Sequence, residues 1–307
     1  MLTKYQFSAH GPKKCNTELQ ECSLIFLSKA SQEELNQVAQ TFDIDPLTFD
    51  YCSSPEEVSR YHLIASNILH DAHILVIYDF NAEKEKIEGQ LTPVILIFNQ
   101  DHLIVCTDKA DTCQAQLEEG NSQITDFIVS YILKCQQNLM NALLKYKPEI
   151  DRLDAAAQKS FGNDELRHLT NLTRKLVFFE HTMNDQAETV KALLQEPWLK
   201  ELKEADLPFR LDIQQRRLTK AIHVFRDLLE SISGLFTEMM NSSLNKLMKF
   251  LDSAGLVIAT AALVSGFMGM NVGGLPWKST QAGFWLTLAI SALLAIIIAI
   301  YLRRKEY

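Results

Sequence analysis

The sequence predicts an α+β domain, a long helical stalk and a two-helix transmembrane region, and three observations predict it. Residues 253–307 are mostly apolar, whereas residues 1–250 carry charges throughout. The first hundred residues mix short β-branched runs with a capped helix signal. Between these parts runs a heptad-like apolar stripe that meets no helix breaker before the membrane. The expected boundaries are an α/β domain over 1–120, a helical bundle and stalk over 121–250, and two spans with an outer loop and basic tail over 251–307.

Strands are expected at SLIFLSKA (from Ser23), HILVIYDF (from His73), TPVILIFN (from Thr92) and HLIVCT (from His102), each short, apolar and bounded by polar turn residues. The last two make a hairpin that turns at Asn99-Gln100-Asp101. Ser31 and Glu34 have capping-box spacing and open a helix that reaches about Phe42. From Ile124 the pattern is helical, giving two long helices over 124–160 and 163–195, and Glu196-Pro197-Trp198 marks a break. Glu180 and His181 are adjacent, so on a helix they diverge, which favours a solvated face over a metal site.

Leu218, Ile222, Phe225, Leu229, Ile232, Phe236 and Met239 are spaced 4, 3, 4, 3, 4, 3. This is an a/d seam. It fits either helices packing along a stalk or a core helix within one subunit. Beyond Met239 neither Pro nor Gly intervenes before the membrane, so one helix is expected from Leu207 to Met268, roughly 90 Å long at 1.5 Å per residue.

Ser253–Met270 and Phe284–Leu302 are uncharged stretches of 18 and 19 residues. A helix crosses a bilayer core with roughly 20 apolar residues. The short connection from Asn271 to Gly283 makes the pair a hairpin with both ends on one side. Lys246 and Lys249 precede the first span, Arg303, Arg304 and Lys305 follow the second, and the loop has only Lys278. The positive-inside rule therefore places both termini in the cytoplasm of a cell-membrane protein, with the loop outside. Trp277, Trp285 and Tyr301 fall at interfacial levels. In the first span Gly255, Ala259, Ala262 and Gly266 recur at helical spacing, as the wall of a wide pore or as a close helix contact.

Composition excludes several functions. A net charge of −8 argues against a basic nucleic-acid-binding face. None of the six cysteines has Cys-x-x-Cys spacing, so no zinc site is indicated, and the N-terminus has no apolar run to act as a signal peptide. The thiols are expected to stay free in a reducing compartment. No phosphate-binding glycine loop and no catalytic constellation is visible, so neither an enzyme nor an organic cofactor is expected.

The outer end of the first span reads GFMGMNVGGLPW, with Gly269-Met270-Asn271 at its exit. With NKLMKFL from Asn245, FRDLLESISGLF from Phe225 and the tail YLRRKEY, it resembles the CorA family of magnesium channels and transporters. The match is clearest over 205–307, and IDPLTFDY and FNQDHLIVCTD extend it into the N-terminal domain. The resemblance implies a homopentameric funnel in the bilayer that conducts hydrated divalent cations, Mg²⁺ above all. Five Asn271 side chains would ring the mouth. Gly269 would let the backbones approach, and Met270 would pack between helices. Met248 and Leu251 would form the hydrophobic constriction, and Asn245 a polar ring below it. It also implies a regulatory Mg²⁺ between neighbouring cytoplasmic domains, for which Asp212 in PFRLDIQQ is the candidate ligand.

The physical chemistry fits. Mg²⁺ demands octahedral oxygen coordination and sheds water reluctantly, so a mouth can grip it through its waters. Neither span contains His or Cys, the ligands that suit transition metals, which favours Mg²⁺. Three departures leave Zn²⁺, Co²⁺ and Ni²⁺ open: no acidic residue in GGLPWKST, Val272 where the family commonly has Phe, and Asp252 at a usually uncharged position. Asp252 lies seven residues beyond Asn245 on the same face. It either lines the pore or pairs with Lys249 or Lys246. A membrane-tethered sensor without flux is the remaining alternative.

Overall fold

The computed structural model describes residues 1–307 except 9, 10, 53, 55, 119–122, 158–161, 203, 271–280 and 305–307. The chain folds as two compact units, Met1–Ile232 and Ser233–Tyr307.

The first unit is built on a seven-stranded sheet. In chain order its elements are β1 Leu2–Ser8, β2 Gly11–Lys14, β3 Leu24–Ser28, α1 Gln32–Thr41, β4 Arg60–Leu63, β5 His73–Phe80, α2 Ile87–Gln90, β6 Leu91–Phe98, β7 Leu103–Thr107 and α3 Asp111–Glu118. The helices α4 Ile124–Leu144, α5 Lys147–Ala157, α6 Asn163–Leu193 and the start of α7 Leu207–Gly269 follow. Strand order is β2-β1-β3-β7-β6-β5-β4, with β3 and β7 parallel and every other pair antiparallel.

Alternation along the central strands builds two cores. Leu24, Phe26, Leu75, Ile77, Leu96 and Val105 face one way, towards Phe127, Ile128 and Ile132 of α4 and Val190 of α6. Ile25, Leu27, Val76, Ile95, Ile97 and Ile104 face the other, towards Leu35 and Val38 of α1. Because both faces are covered, β3, β5, β6 and β7 read as unbroken apolar runs, which is why they were legible.

β1, β2 and β4 were not expected. β1 and β2 end one side of the sheet and β4 ends the other, and β1 and β4 are mostly half-buried or exposed. Strands at or next to the rim of the sheet lack the two-sided burial that produces an apolar run. The β6–β7 hairpin is as expected. Phe98 pairs with Leu103, and the Asn99 Oδ1 accepts from the Asp101 and His102 amides at 3.0 and 2.8 Å. The α1 capping box is also present, with Ser31 Oγ accepting from the Glu34 amide and Glu34 from the Ser31 amide.

The expected helix over 124–160 is instead two. α4 ends at Leu144 with tightened bonds from Lys145 to Ala142 and Tyr146 to Leu143, and α5 restarts at Lys147. Pro148 explains the break, since it has no amide hydrogen to bond back to Leu144. The expected end at 160 lies outside the described residues.

α7 runs unbroken for 63 residues, and α8 spans Gln281–Arg304. Of the two readings of the seam, packing within one chain holds for Leu218, Ile222, Phe225, Leu229 and Ile232, all buried. The 18-residue apolar windows of α7 and α8 have no buried residue, and Phe250, Ile258, Leu263, Phe284, Trp285 and Leu293 are each at least 60% exposed. Exposed apolar surface on this scale belongs in a bilayer or against partner chains.

Candidate functional site

One face of α7 carries most of the candidate residues. Asn245, Met248, Asp252, Gly255, Ala259, Ala262, Gly266 and Gly269 are spaced 3, 4, 3, 4, 3, 4, 3, and all are exposed. The stripe therefore links the polar residues at its N-terminal end to Gly269 at the helix terminus. A Cβ placed on Gly255, Gly266 or Gly269 meets nothing within 4 Å. The glycines along this line are thus not required by packing inside the chain.

The opposite side of the helix differs. Ser253, Ala254, Val257, Thr260, Ala261, Val264 and Met268 are half-buried, again at helical spacing. Thr260 Oγ1 donates to the Leu256 carbonyl at 2.8 Å and Ser265 Oγ to the Ala262 carbonyl at 3.0 Å, so these hydroxyls are satisfied on their own helix.

Met248 is 59% exposed on the stripe. Leu251, also exposed, sits one residue before Asp252 and so flanks the line rather than continuing it. Met270 lies just past α7, and its amide bonds the Phe267 carbonyl at 3.3 Å in a tightened final turn. Asn271 lies outside the described residues, with Val272, Trp277, Lys278 and the rest of the loop to 280. At the other end, Arg303 and Arg304 occupy the last turn of α8, where cations complement the helix dipole.

Asp212 is engaged by a cation in its own helix. Arg216, one turn on, holds both its oxygens, with Nη2–Oδ2 at 2.9 Å and Nε–Oδ1 at 3.1 Å. Both lie beside a hollow also lined by Glu188, Lys191, Lys220 and Asp227. Among the described residues no group of three or more His, Cys, Asp or Glu is placed to hold a metal ion. Glu180 and His181 diverge as expected: Glu180 bonds Arg226 of α7 at 2.7 Å and lies 3.3 Å from His223, whereas His181 is exposed.

Sequence reasoning missed the polar contacts that tie α7 to the sheet. Gln215 Oε1 accepts from Gln136 of α4 at 2.8 Å and from Gln186 of α6 at 3.2 Å. Gln186 Oε1 in turn accepts the Tyr78 amide of β5 at 2.8 Å. The three glutamines are 0–4% exposed. Glutamine is common on helix surfaces, so the one signal available was that Gln215 sits three residues before Leu218, on the seam face.

A family model described as CorA-like Mg²⁺ transporter protein matches residues 23–304. The cobalt/magnesium transport protein CorA of Thermotoga maritima is 19% identical over 288 residues, 89% of this chain and 79% of the relative. The magnesium transport protein CorA of Wolinella succinogenes is 21% identical over 308 residues, 92% of this chain and 90% of the relative. The complete structure of the CorA magnesium transporter from Methanocaldococcus jannaschii superposes with a TM-score of 0.79 at 15% identity, covering 99% of this chain and 98% of that one. The apolar helices, the sheet domain feeding α7 and a match over nearly the whole length lead to one assignment: the chain belongs to the CorA-like Mg²⁺ transporter family.

Proposed function

We propose that this chain forms a homopentameric channel in the cell membrane that conducts hydrated Mg²⁺ into the cytoplasm, with Co²⁺ and Ni²⁺ as secondary cargo. The observation that carries it is the exposed stripe from Asn245 to Gly269, small or polar apart from Met248, whose glycines have open space where a Cβ would stand. Five such stripes around an axis leave room for an ion that keeps its water shell. Asn271 rings at the outer mouth would bond those waters without a fixed charge to trap the ion. Met248 and Leu251 narrow the inner end, where apolar rings gate by dewetting. Both termini are cytoplasmic by the charge asymmetry around the spans.

The membrane potential drives the flux. A potential of 100 mV contributes about 2.3 kcal/mol per charge, so roughly twice that for a divalent ion. The channel reading needs no nucleotide or organic cofactor. α7 carries the gating movement, since the buried glutamines fix its first part to the sheet and the same helix reaches Gly269. Purified protein in liposomes tests the reading. Potential-driven Mg²⁺ influx exceeding Zn²⁺ influx is expected; Zn²⁺ influx without Mg²⁺ influx would instead make the chain a transition-metal transporter, and no metal flux would make it a sensor.

Asp252 extends this reading. It is exposed, two turns beyond Asn245 on the stripe. A carboxylate in a membrane helix usually faces a water-filled cavity. Five of them attract divalent ions and offset the absence of acidic residues from GGLPWKST. Asp252→Asn is therefore expected to lower Mg²⁺ conductance severalfold and to weaken block by Co²⁺ in fully assembled protein. Unchanged flux and block would place the side chain outside the pore.

Asp212 remains the proposed regulatory ligand. Its pairing with Arg216 is no obstacle, because exposed ion pairs contribute about 0–1 kcal/mol, and the Arg216 side chain is 74% exposed. A divalent ion at a subunit interface can replace it. Millimolar-range Mg²⁺ should then protect the native protein from protease, and Asp212→Ala should lose that protection. Equal protection in the variant would remove Asp212 from the regulatory site.

A further inference from the structure

The loop between β2 and β3 brings together two of the six cysteines. Cys15 follows β2 and Cys22 precedes β3, and the single-turn helix Leu19–Glu21 folds the connection back on itself. The two sulfurs lie 3.3 Å apart. Lys4 pins the loop from β1: its carbonyl accepts the Cys15 amide at 3.1 Å and its ammonium donates to the Thr17 carbonyl at 2.6 Å.

The two thiols stand in different surroundings. Cys22 is fully buried in the apolar core beside α1, and its Sγ donates to the Glu18 carbonyl at 3.1 Å. Cys15 is partly open to solvent. Burial raises the Cys22 thiol above the ordinary range. Burial acts the same way on Cys15, but hydrogen bonds from Thr17 and Cys22, together with the Lys4 charge, outweigh it and hold that thiol below the ordinary range. One sulfur is thus accessible and inclined to ionise, and a shielded partner waits within reach. That is the arrangement of an attacking and a resolving cysteine.

We propose that Cys15 and Cys22 form a thiol–disulfide modification site that takes a small-molecule disulfide such as glutathione disulfide. The Cys15 thiolate attacks one sulfur of the disulfide. A mixed disulfide forms, the external S–S bond breaks and one thiolate leaves. The Cys22 thiol then gives its proton to solvent and its sulfur attacks the Cys15 sulfur, releasing the second thiol. Two protein thiols are oxidised and one external disulfide is reduced to two thiols. A disulfide bond is about 2.05 Å long, so the sulfurs must approach by roughly 1.3 Å, which side-chain rotation in this short loop supplies.

Two of the remaining thiols provide an internal comparison. Cys106 accepts or donates a hydrogen bond with Cys52, so these sulfurs are also neighbours. Both are buried, at 2% and 8% exposure, and neither offers an accessible first sulfur. In a reducing cytoplasm both pairs rest as thiols. Oxidation selects the pair with an open member.

The full chain in detergent, equilibrated with glutathione buffers from reducing to oxidising and acid-quenched for peptide mapping, tests this. Expected is a cross-linked Cys15–Cys22 peptide lower in mass by two hydrogens, appearing as the buffer becomes oxidising and lost again with dithiothreitol. Cys22→Ser should accumulate glutathione on Cys15, and Cys15→Ser should leave Cys22 unmodified. A bridge mapped to Cys52–Cys106 instead, glutathione persisting on wild-type Cys15 without a bridge, or no modification at oxidising ratios would overturn the proposal.

Discussion

Replacing Asn271 with alanine is expected to cut Mg²⁺ influx into liposomes roughly tenfold or more while leaving the assembly intact. Hydrogen bonds to charged partners are worth about 1.5–3 kcal/mol each, and the waters around Mg²⁺ are strongly polarised by the ion. A factor of ten in rate corresponds to about 1.4 kcal/mol, so losing the proposed ring of such bonds exceeds it readily. Alanine keeps the Cβ and removes only the amide group, so the change is one of chemistry more than of volume. Flux and size-exclusion behaviour would be measured on the same preparation. Wild-type flux in an intact assembly would end the filter assignment.

Lys109→Met is expected to destabilise the protein by about 3–5 kcal/mol, the usual cost of breaking one side of a buried ion pair. Asp79 on β5 is fully buried. Lys109 Nζ lies 3.0 Å from its Oδ2, with the lysine side chain 15% exposed. Asn138 of α4 donates to Asp79 Oδ1 at 2.9 Å, and Thr112 of α3 donates to Oδ2. Removing the ammonium leaves a carboxylate in the core without its counter-charge. For a unit of this size 1 kcal/mol shifts Tm by about 2–4 °C, so the expected drop is roughly 10 °C in a thermal melt of the detergent-solubilised chain. The double variant Asp79→Asn with Lys109→Met removes both charges and should recover most of the loss. A drop below about 1 kcal/mol, the range of a solvated pair, would show that water reaches the site.

Neither residue of that pair was legible beforehand. Asp79 stands next to last in HILVIYDF as an ordinary polar residue near a strand end, and Lys109 follows a strand as ordinary turn chemistry. Their meeting depends on β5 and β7 lying two strands apart and on α3 and α4 covering that end of the sheet. The glutamine contacts at Gln136, Gln186 and Gln215 join residues 29 to 79 positions apart in the chain. Single polar residues carry no periodic signal, so only their burial identifies them. The same holds for Cys15 and Cys22, whose spacing matches no metal or redox motif and whose proximity comes from a folded loop.

By itself the sequence determined the elements whose physics is local or periodic. Two-sided burial wrote β3, β5, β6 and β7 as apolar runs. The capping box began α1. The 3-4 spacing and the absence of breakers made α7 continuous, and length with hydropathy marked the two spans. The tertiary structure decided what depends on neighbours distant in the chain. It showed that the seam from Leu218 to Ile232 is buried inside one chain, that the outer strands β1, β2 and β4 complete the sheet, and that Pro148 separates α4 from α5. It also separated the faces of α7. Hydropathy is nearly uniform around a membrane helix, so the sequence could not say which small residues its own chain covers. The packing left the Asn245–Gly269 line bare.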